Sequence, residues 1–99
     1  MKIRLWLFGC LLVSANASAS GHSVLLTWTQ SGSPNIVSNE VNCGHVSGGP
    51  YPWHRTTRYA ATSMTVQNVN SGTFYCMVTA TNDLGEVSIA SNEVEVDVP

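Results

Sequence analysis

The sequence predicts an all-β protein in which two sheets pack face to face, and three observations support this prediction. Short runs of alternating apolar and polar residues recur from residue 23 to residue 98. Clusters of glycine, proline, asparagine and serine separate the runs and supply turns. No segment shows apolar residues at a convincing helical spacing, so a sandwich is favoured over strands that alternate with helices.

The first two predicted strands carry regular apolar alternation. In residues 23–29 the apolar side chains of one face are Val24, Leu26 and Trp28. In residues 36–43 the side chains predicted to share one face are Val37, Val41 and Cys43. Residues 30–35 between them are rich in turn-forming residues and are predicted to be a loop.

The remaining strands follow the same alternation. Residues 51–55 are predicted to be a short edge strand, because Pro50 and Pro52 cannot donate hydrogen bonds to a central ladder. Residues 64–69 alternate through Met64 and Val66. The last quarter has the clearest pattern, with a turn at residues 82–85 between two strands. Their inward faces are predicted to carry Phe74, Cys76, Val78 and Ala80, and then Val94, Val96 and Val98.

The first 19 residues are predicted to be a signal peptide, which leaves residues 20–99 as one small domain. Lys2 and Arg4 precede a short apolar run, and Ala17-Ser18-Ala19 matches the A-x-A cleavage pattern. The run is shorter than the roughly 20 residues that cross a bilayer. The expected location is therefore secreted, periplasmic or at the cell surface, without stable membrane insertion after cleavage.

The charge of the predicted domain argues against two kinds of partner. Within residues 20–99 there are two basic residues, Arg55 and Arg58, and six acidic residues. An acidic surface without lysine argues against nucleic acid and against anionic membranes as partners.

The three cysteines have different expected roles. Cys10 lies in the predicted signal peptide, and an alternative makes it a lipidation site, although the bulky Phe8 does not suit that pattern. Cys43 and Cys76 remain in an exported chain, where an even pair favours a disulfide over two buried free thiols. A covalent link would matter here, because so small a domain has a marginal core.

Several segments, taken in order, resemble a fibronectin type III domain. Residues 22–28 are similar to its second strand, which carries an inward tryptophan. Residues 39–44 and 47–51 resemble the third strand of that domain and the loop after it. Its last two strands are matched by residues 78–82, 85–86 and 91–94. The resemblance implies an immunoglobulin-like β-sandwich of about six or seven strands. It also implies that Cys43 and Cys76 oppose each other on neighbouring strands of one sheet.

Three departures from the family pattern are expected to affect the fold. Asn39 stands where the family usually buries a tyrosine, which predicts a thinner core or a shifted strand. Phe74 stands at the tyrosine-corner position and cannot make that hydrogen bond. The first strand is expected to be missing after cleavage, which would leave the sheet edge beside residues 24–28 open to a partner or a second copy.

The immunoglobulin domain is the weaker match. Residues 70–76 resemble its D-x-G-x-Y-x-C signature, and Cys43 followed by Trp53 resembles its Cys–Trp spacing. However, too few residues separate Trp53 from Cys76 for the strands that normally lie between them. The length therefore favours the fibronectin pattern.

The sequence predicts a non-enzymatic chain without metal or cofactor. His22, His45 and His54 do not show the spacing of metal ligands. The serines lack a G-x-S-x-G motif. The acidic residues of the last strand alternate on one face, which is typical of a solvated sheet face.

The candidate contact surface lies near the glycine-rich segment at residues 44–50. It consists of Tyr51, Trp53, Arg55, Arg58 and Tyr59, which are residue types typical of interface anchors. In the alternative interpretation Trp53 covers the sheet edge and belongs to the core.

These observations predict a module that contacts an extracellular protein or carbohydrate, or that acts as a spacer. One alternative is a structural subunit that assembles by strand exchange at an open sheet edge. Another is the accessory module of a larger secreted enzyme.

Overall fold

Seven strands form in residues 14–30 and 35–99, which the computed structural model describes. In chain order they are β1 (Ser14–Ser20), β2 (Ser23–Thr29), β3 (Ile36–Gly44), β4 (Trp53–Thr56), β5 (Ser63–Val66), β6 (Gly72–Asn82) and β7 (Val94–Val98). The described ranges contain no helix long and apolar enough to span a membrane.

The strands form two antiparallel sheets that pack face to face. Sheet A has the order β1-β2-β5, and sheet B has the order β4-β3-β6-β7. The alternation predicted for β2, β6 and β7 matches the buried positions of these strands. The core between the sheets consists of Ala15, Val24, Leu26, Trp28, Val41, Cys43, Cys76, Val78, Ala80, Val94, Val96 and Val98. The predicted all-β sandwich is therefore confirmed.

A disulfide links Cys43 of β3 to Cys76 of β6 across a sequence separation of 33 residues. The two residues are direct partners in the β3–β6 register, and both are buried. The bridge therefore lies within sheet B, as the fibronectin pattern implied. It does not connect the two sheets as an immunoglobulin bridge does.

In the chain described here a first strand, β1, is present and occupies the edge of β2. The expectation of a missing first strand applies to the chain after cleavage and stays a prediction. All seven residues of β1 pair with β2, and Ala15 is buried opposite Trp28. The side chain of Asn92 accepts a hydrogen bond from the Ala15 amide at 2.9 Å and donates one to the Ala15 carbonyl at 3.1 Å. The predicted domain boundary at residue 20 thus falls within the β1–β2 hairpin. Cleavage after Ala19 stays a prediction, and it would remove nearly all of β1.

Val37 does not face the core, contrary to the sequence prediction. The β3–β6 pairing shifts register between Ile36 and Ser38. Because side chains alternate strictly along a strand, this irregularity reverses the facing of Val37, which is 44% exposed. Ile36, on the other side of the irregularity, packs against the core instead.

Asn39 is fully buried, and its hydrogen bonds replace the apolar packing expected at this position. Its Nδ2 donates to Gln30 Oε1 at 2.8 Å and to the Thr79 carbonyl at 3.3 Å. Its Oδ1 accepts from the Ala61 amide at 3.0 Å. The side chain thus joins β3 to the segment that precedes β5. Neither predicted consequence, a thinner core or a shifted strand, is needed to place a polar residue here.

The connection from β6 to β7 runs beside β6 and is held by serine side chains. The hydroxyl of Ser88 accepts from the Ala80 amide, and the hydroxyl of Ser91 accepts from the Val78 amide, both at 2.9 Å. The amides of both serines donate back to β6 carbonyls at 2.8 Å. These bonds fix the path of the chain that delivers Glu93 to the start of β7.

Candidate functional site

Strand β4 directs Trp53 and Arg55 towards the space between the sheets. In the β3–β4 register Trp53 lies opposite Cys43, and Arg55 lies opposite Val41. Directly opposed residues point to the same face of a sheet, and both β3 residues are buried. Because β4 is the edge of sheet B, as predicted, both inward side chains remain partly open to solvent. Trp53 is 38% exposed.

A cleft of about 320 Å³, here called the β4–β5 cleft, opens between the free edges of the two sheets. Its floor is apolar and comes from both sheets, with Val24, Leu26, Val66, Phe74, Val96 and the disulfide. Its rim is polar and aromatic, with His45, Trp53, Arg55, Gln67, Asn68 and Asn70. The volume lies within the range of small-molecule sites, about 300–1,000 Å³.

The guanidinium of Arg55 is held at the rim by the indole of Trp53. The Arg55 Cζ atom lies 5.4 Å from the centroid of the Trp53 ring. This is a cation–π distance, at which the negative face of the ring attracts the positive charge. The pair therefore gives one edge of the cleft a fixed cation beside an aromatic surface.

Tyr51 does not join this pair, because its hydroxyl donates a hydrogen bond to Glu93. The same carboxylate accepts from the Gly48 amide at 2.7 Å and from the Ser47 hydroxyl at 2.6 Å. The Gly48 amide, followed by the two hydroxyls, lowers the pKa of Glu93. The hydrogen bond to Glu93 and, second, burial raise the pKa of Tyr51. Tyr51 thus ties the glycine-rich loop to β7.

We expect Glu93→Gln to lower the urea midpoint of unfolding at neutral pH, because the ionised carboxylate is the acceptor of all three bonds. The pKa of Glu93 is lowered in the folded state, so its contribution is complete above the ordinary value of 4.5. It is lost as the pH falls through the lower folded pKa. Urea titrations from about pH 7 to about pH 3 should therefore show the difference between variant and wild type shrinking.

The control for this prediction is Glu95→Gln, which alters an exposed carboxylate two residues further along the chain, in β7. The control should leave the midpoint nearly unchanged at neutral pH. A Glu93→Gln effect that keeps its full size at acid pH would contradict the assigned role of the carboxylate.

Arg58 and Tyr59 lie outside the β4–β5 cleft, in the segment that follows β4. Tyr59 is 68% exposed, and Arg58 adopts a left-handed backbone conformation with φ of 71°. The Thr57 amide anchors this segment by donating to the Asn39 carbonyl at 2.8 Å. The five predicted contact residues therefore divide into three groups, of which the Trp53–Arg55 pair alone lines the cleft.

Sequence reasoning missed several residues of the cleft. The sequence predicts that Phe74 faces inward but does not predict a cleft beside it; its ring lies 4.7 Å from the ring of His45 and belongs to the floor. The rim amides of Asn68 and Asn70 follow β5 in a loop with no distinctive motif. In the part of the chain that the structure describes, no group of three or more metal-ligating side chains is present.

Comparison with known proteins places this geometry in context. No family model and no curated protein matches the chain. Among solved structures, an Fn3-like protein from Clostridium thermocellum is 31% identical over 88% of each chain, with a TM-score of 0.68. A myokine structure is 13% identical over 90% of this chain and 97% of that chain, with a TM-score of 0.74. Pectate lyase PelI from Erwinia chrysanthemi is 16% identical over 85% of this chain and 28% of that chain, with a TM-score of 0.75.

The strand order of the two sheets defines an immunoglobulin-like β-sandwich. The two matches of lower identity support this fold alone. With 31% identity over most of both chains, the match to the Fn3-like protein shows the family. The chain belongs to the fibronectin type III-like family.

Proposed function

We propose that the chain is an exported, non-enzymatic module that contacts an extracellular protein or carbohydrate. The proposed contact surface is the side of the sandwich formed by β4 and the segment that follows it. Export is supported by the Cys43–Cys76 disulfide, since such bonds persist in oxidising compartments. It is also supported by the leader pattern in the sequence.

The observation that carries this proposal is the concentration of exposed aromatic and arginine side chains on that side. Trp53 and Tyr59 are 38% and 68% exposed. Arg55 and Arg58 lie beside them, whereas Glu95 and Asp97 lie on β7 at the far edge of sheet B. Aromatic and arginine side chains carry much of the energy in protein interfaces.

The proposal is tested by measuring adsorption of the full chain to extracellular polysaccharides and to surface proteins of the source cells. Replacing Arg58 and Tyr59 together by serine should weaken adsorption by about fivefold or more, because both anchors are removed. Leu84→Ser is the control, since Leu84 is 71% exposed in the β6–β7 connection. An equal loss of adsorption in the double variant and in Leu84→Ser would count against a contact role. A wild-type chain that adsorbs neither to polysaccharides nor to surface proteins would also count against it and would favour a spacer.

A role as an accessory module of a larger secreted enzyme is favoured by one comparison. The matched sandwich makes up 28% of the pectate lyase PelI chain, so the same fold occurs there as part of a longer enzyme. The neighbouring genomic sequence tests this role, because it should then encode a catalytic domain in frame with the sandwich.

A structural subunit that assembles by strand exchange is favoured by a different observation. The strand that covers the edge of β2 contains the predicted cleavage pattern, so processing after Ala19 would expose that edge. Mass spectrometry and size-exclusion chromatography of the exported protein test this role. A chain that begins at Ser20 and elutes as a dimer or larger assembly would support it, whereas a monomer would exclude it.

A further inference from the structure

We propose that the β4–β5 cleft binds a small amphiphilic carboxylate, such as a medium-chain fatty acid, with its apolar chain on the floor and its carboxylate against Arg55. The cleft shares Trp53 and Arg55 with the proposed macromolecular contact surface, whereas Arg58 and Tyr59 of that surface lie outside the cleft. Three features of the cleft lead to the proposal: its size, the contrast between floor and rim, and the sign of its charge.

The size of the cleft sets the size of the ligand. A volume of about 320 Å³ lies at the small end of the range of ligand sites, about 300–1,000 Å³. The cleft therefore suits a small ligand such as an eight-carbon carboxylate better than a long lipid chain or a folded peptide segment.

The floor of the cleft selects an apolar group. Val24, Leu26 and Val96 belong to the buried core, and Val66 and Phe74 extend the apolar surface towards the opening. The hydroxyl groups of a hydroxyl-rich ligand would find no hydrogen-bond partners on this floor, and their burial would cost substantial binding free energy. A saccharide is therefore disfavoured at this position, and an alkyl chain fits it.

The rim of the cleft selects a negative charge. Among the described residues that line it, Arg55 is cationic and none is acidic. The guanidinium lies on the inward side of β4 and remains exposed, so it can meet a carboxylate at the opening of the cleft. A carboxylate can accept two parallel hydrogen bonds from a guanidinium. The side-chain amides of Gln67, Asn68 and Asn70 supply further donors along the same rim.

The test is a titration of the full chain with octanoate below its micelle concentration, followed by amide shifts in NMR spectra and by tryptophan emission. Octanol, which has the same chain length and no charge, is the matched ligand control. The matched protein variants are Arg55→Gln and Arg58→Gln, which remove the same charge inside and outside the cleft. Val66→Phe, checked for native folding by circular dichroism, fills the opening without altering a charge.

The expected result is saturable octanoate binding, with shifts at Val24, Val66 and Phe74. Arg55→Gln should weaken octanoate binding by about fivefold or more because the charge-assisted bonds are lost. The same variant should bind octanol as the wild type does, and Arg58→Gln should bind octanoate as the wild type does. Val66→Phe should weaken the binding of both octanoate and octanol. Absence of saturable binding, or equal octanoate binding by Arg55→Gln and wild type, would overturn the proposal. Arg55 would then serve only as an inward charge that protects an edge strand from pairing.

Discussion

We expect removal of the Cys43–Cys76 disulfide to lower the free energy of unfolding by about 3–4 kcal/mol, the value that a chain-entropy model gives for a loop of this length. The bond closes a loop with a sequence separation of 33 residues and joins the two central strands of sheet B. Without it the unfolded chain gains conformational freedom, while the folded sheet keeps its hydrogen bonds. The double variant Cys43→Ala and Cys76→Ala, unfolded in urea beside the wild type, measures this loss.

The wild-type protein under reducing conditions provides the control for this experiment. Its stability should fall towards that of the double variant, and the double variant itself should not respond to the reductant. For so small a domain a loss of this size is a large part of the total stability. A difference below about 1 kcal/mol would contradict the role assigned to the bond.

We expect Asn39→Leu to lower the free energy of unfolding by about 2–4 kcal/mol, although leucine is apolar and the site is fully buried. The substitution removes the acceptor of the Ala61 amide and the donor to Gln30 and to the Thr79 carbonyl. A buried amide without an acceptor has lost its hydrogen bond to water and forms no protein hydrogen bond in its place. Urea unfolding gives the size of the effect, and hydrogen exchange at Ala61 locates it.

Asn42→Leu is the matched control, because Asn42 lies on the opposite face of the same strand and is only half-buried. Its effect should stay within about 0.5 kcal/mol. Equal effects of the two substitutions, or a stabilised Asn39→Leu variant, would show that the buried hydrogen bonds do not determine the stability of this region.

The strands that could be predicted from sequence are those whose burial follows a strict alternation. β2, β6 and β7 each place every second side chain in the core, so the pattern of apolar residues directly reports the fold. The disulfide was predicted from an even pair of cysteines in an exported chain. The opposition of Cys43 and Cys76 on neighbouring strands followed from the family resemblance.

The features that could not be predicted depend on contacts between distant segments or on local irregularity. Apart from Asn16, β1 is built from alanine and serine, and these small residues also form the cleavage pattern, so the sequence favours two different roles for them. Val37 faces outward because of a register shift that leaves no mark in the sequence. The burial of Asn39 depends on Gln30 and Ala61, which become its neighbours only after folding.

The candidate site was predicted only in part for the same reason. Aromatic and arginine side chains near β4 were recognisable as anchors from their types alone. The cleft beside them forms where the free edges of two sheets face each other, so its floor combines residues from β2, β3, β5, β6 and β7. No local pattern brings these strands together, and the sequence therefore does not reveal the pocket.

The most direct test of the fold and of the site built on it is the NMR measurement of cross-strand proximity between β3 and β6. The register places the Hα atoms of Cys43 and Cys76 close together, and likewise those of Val41 and Val78, so strong nuclear Overhauser effects are expected for both pairs. Sequential amide contacts typical of a helix through residues 72–82, or the absence of both Hα contacts in the oxidised protein, would contradict the sandwich and the cleft together.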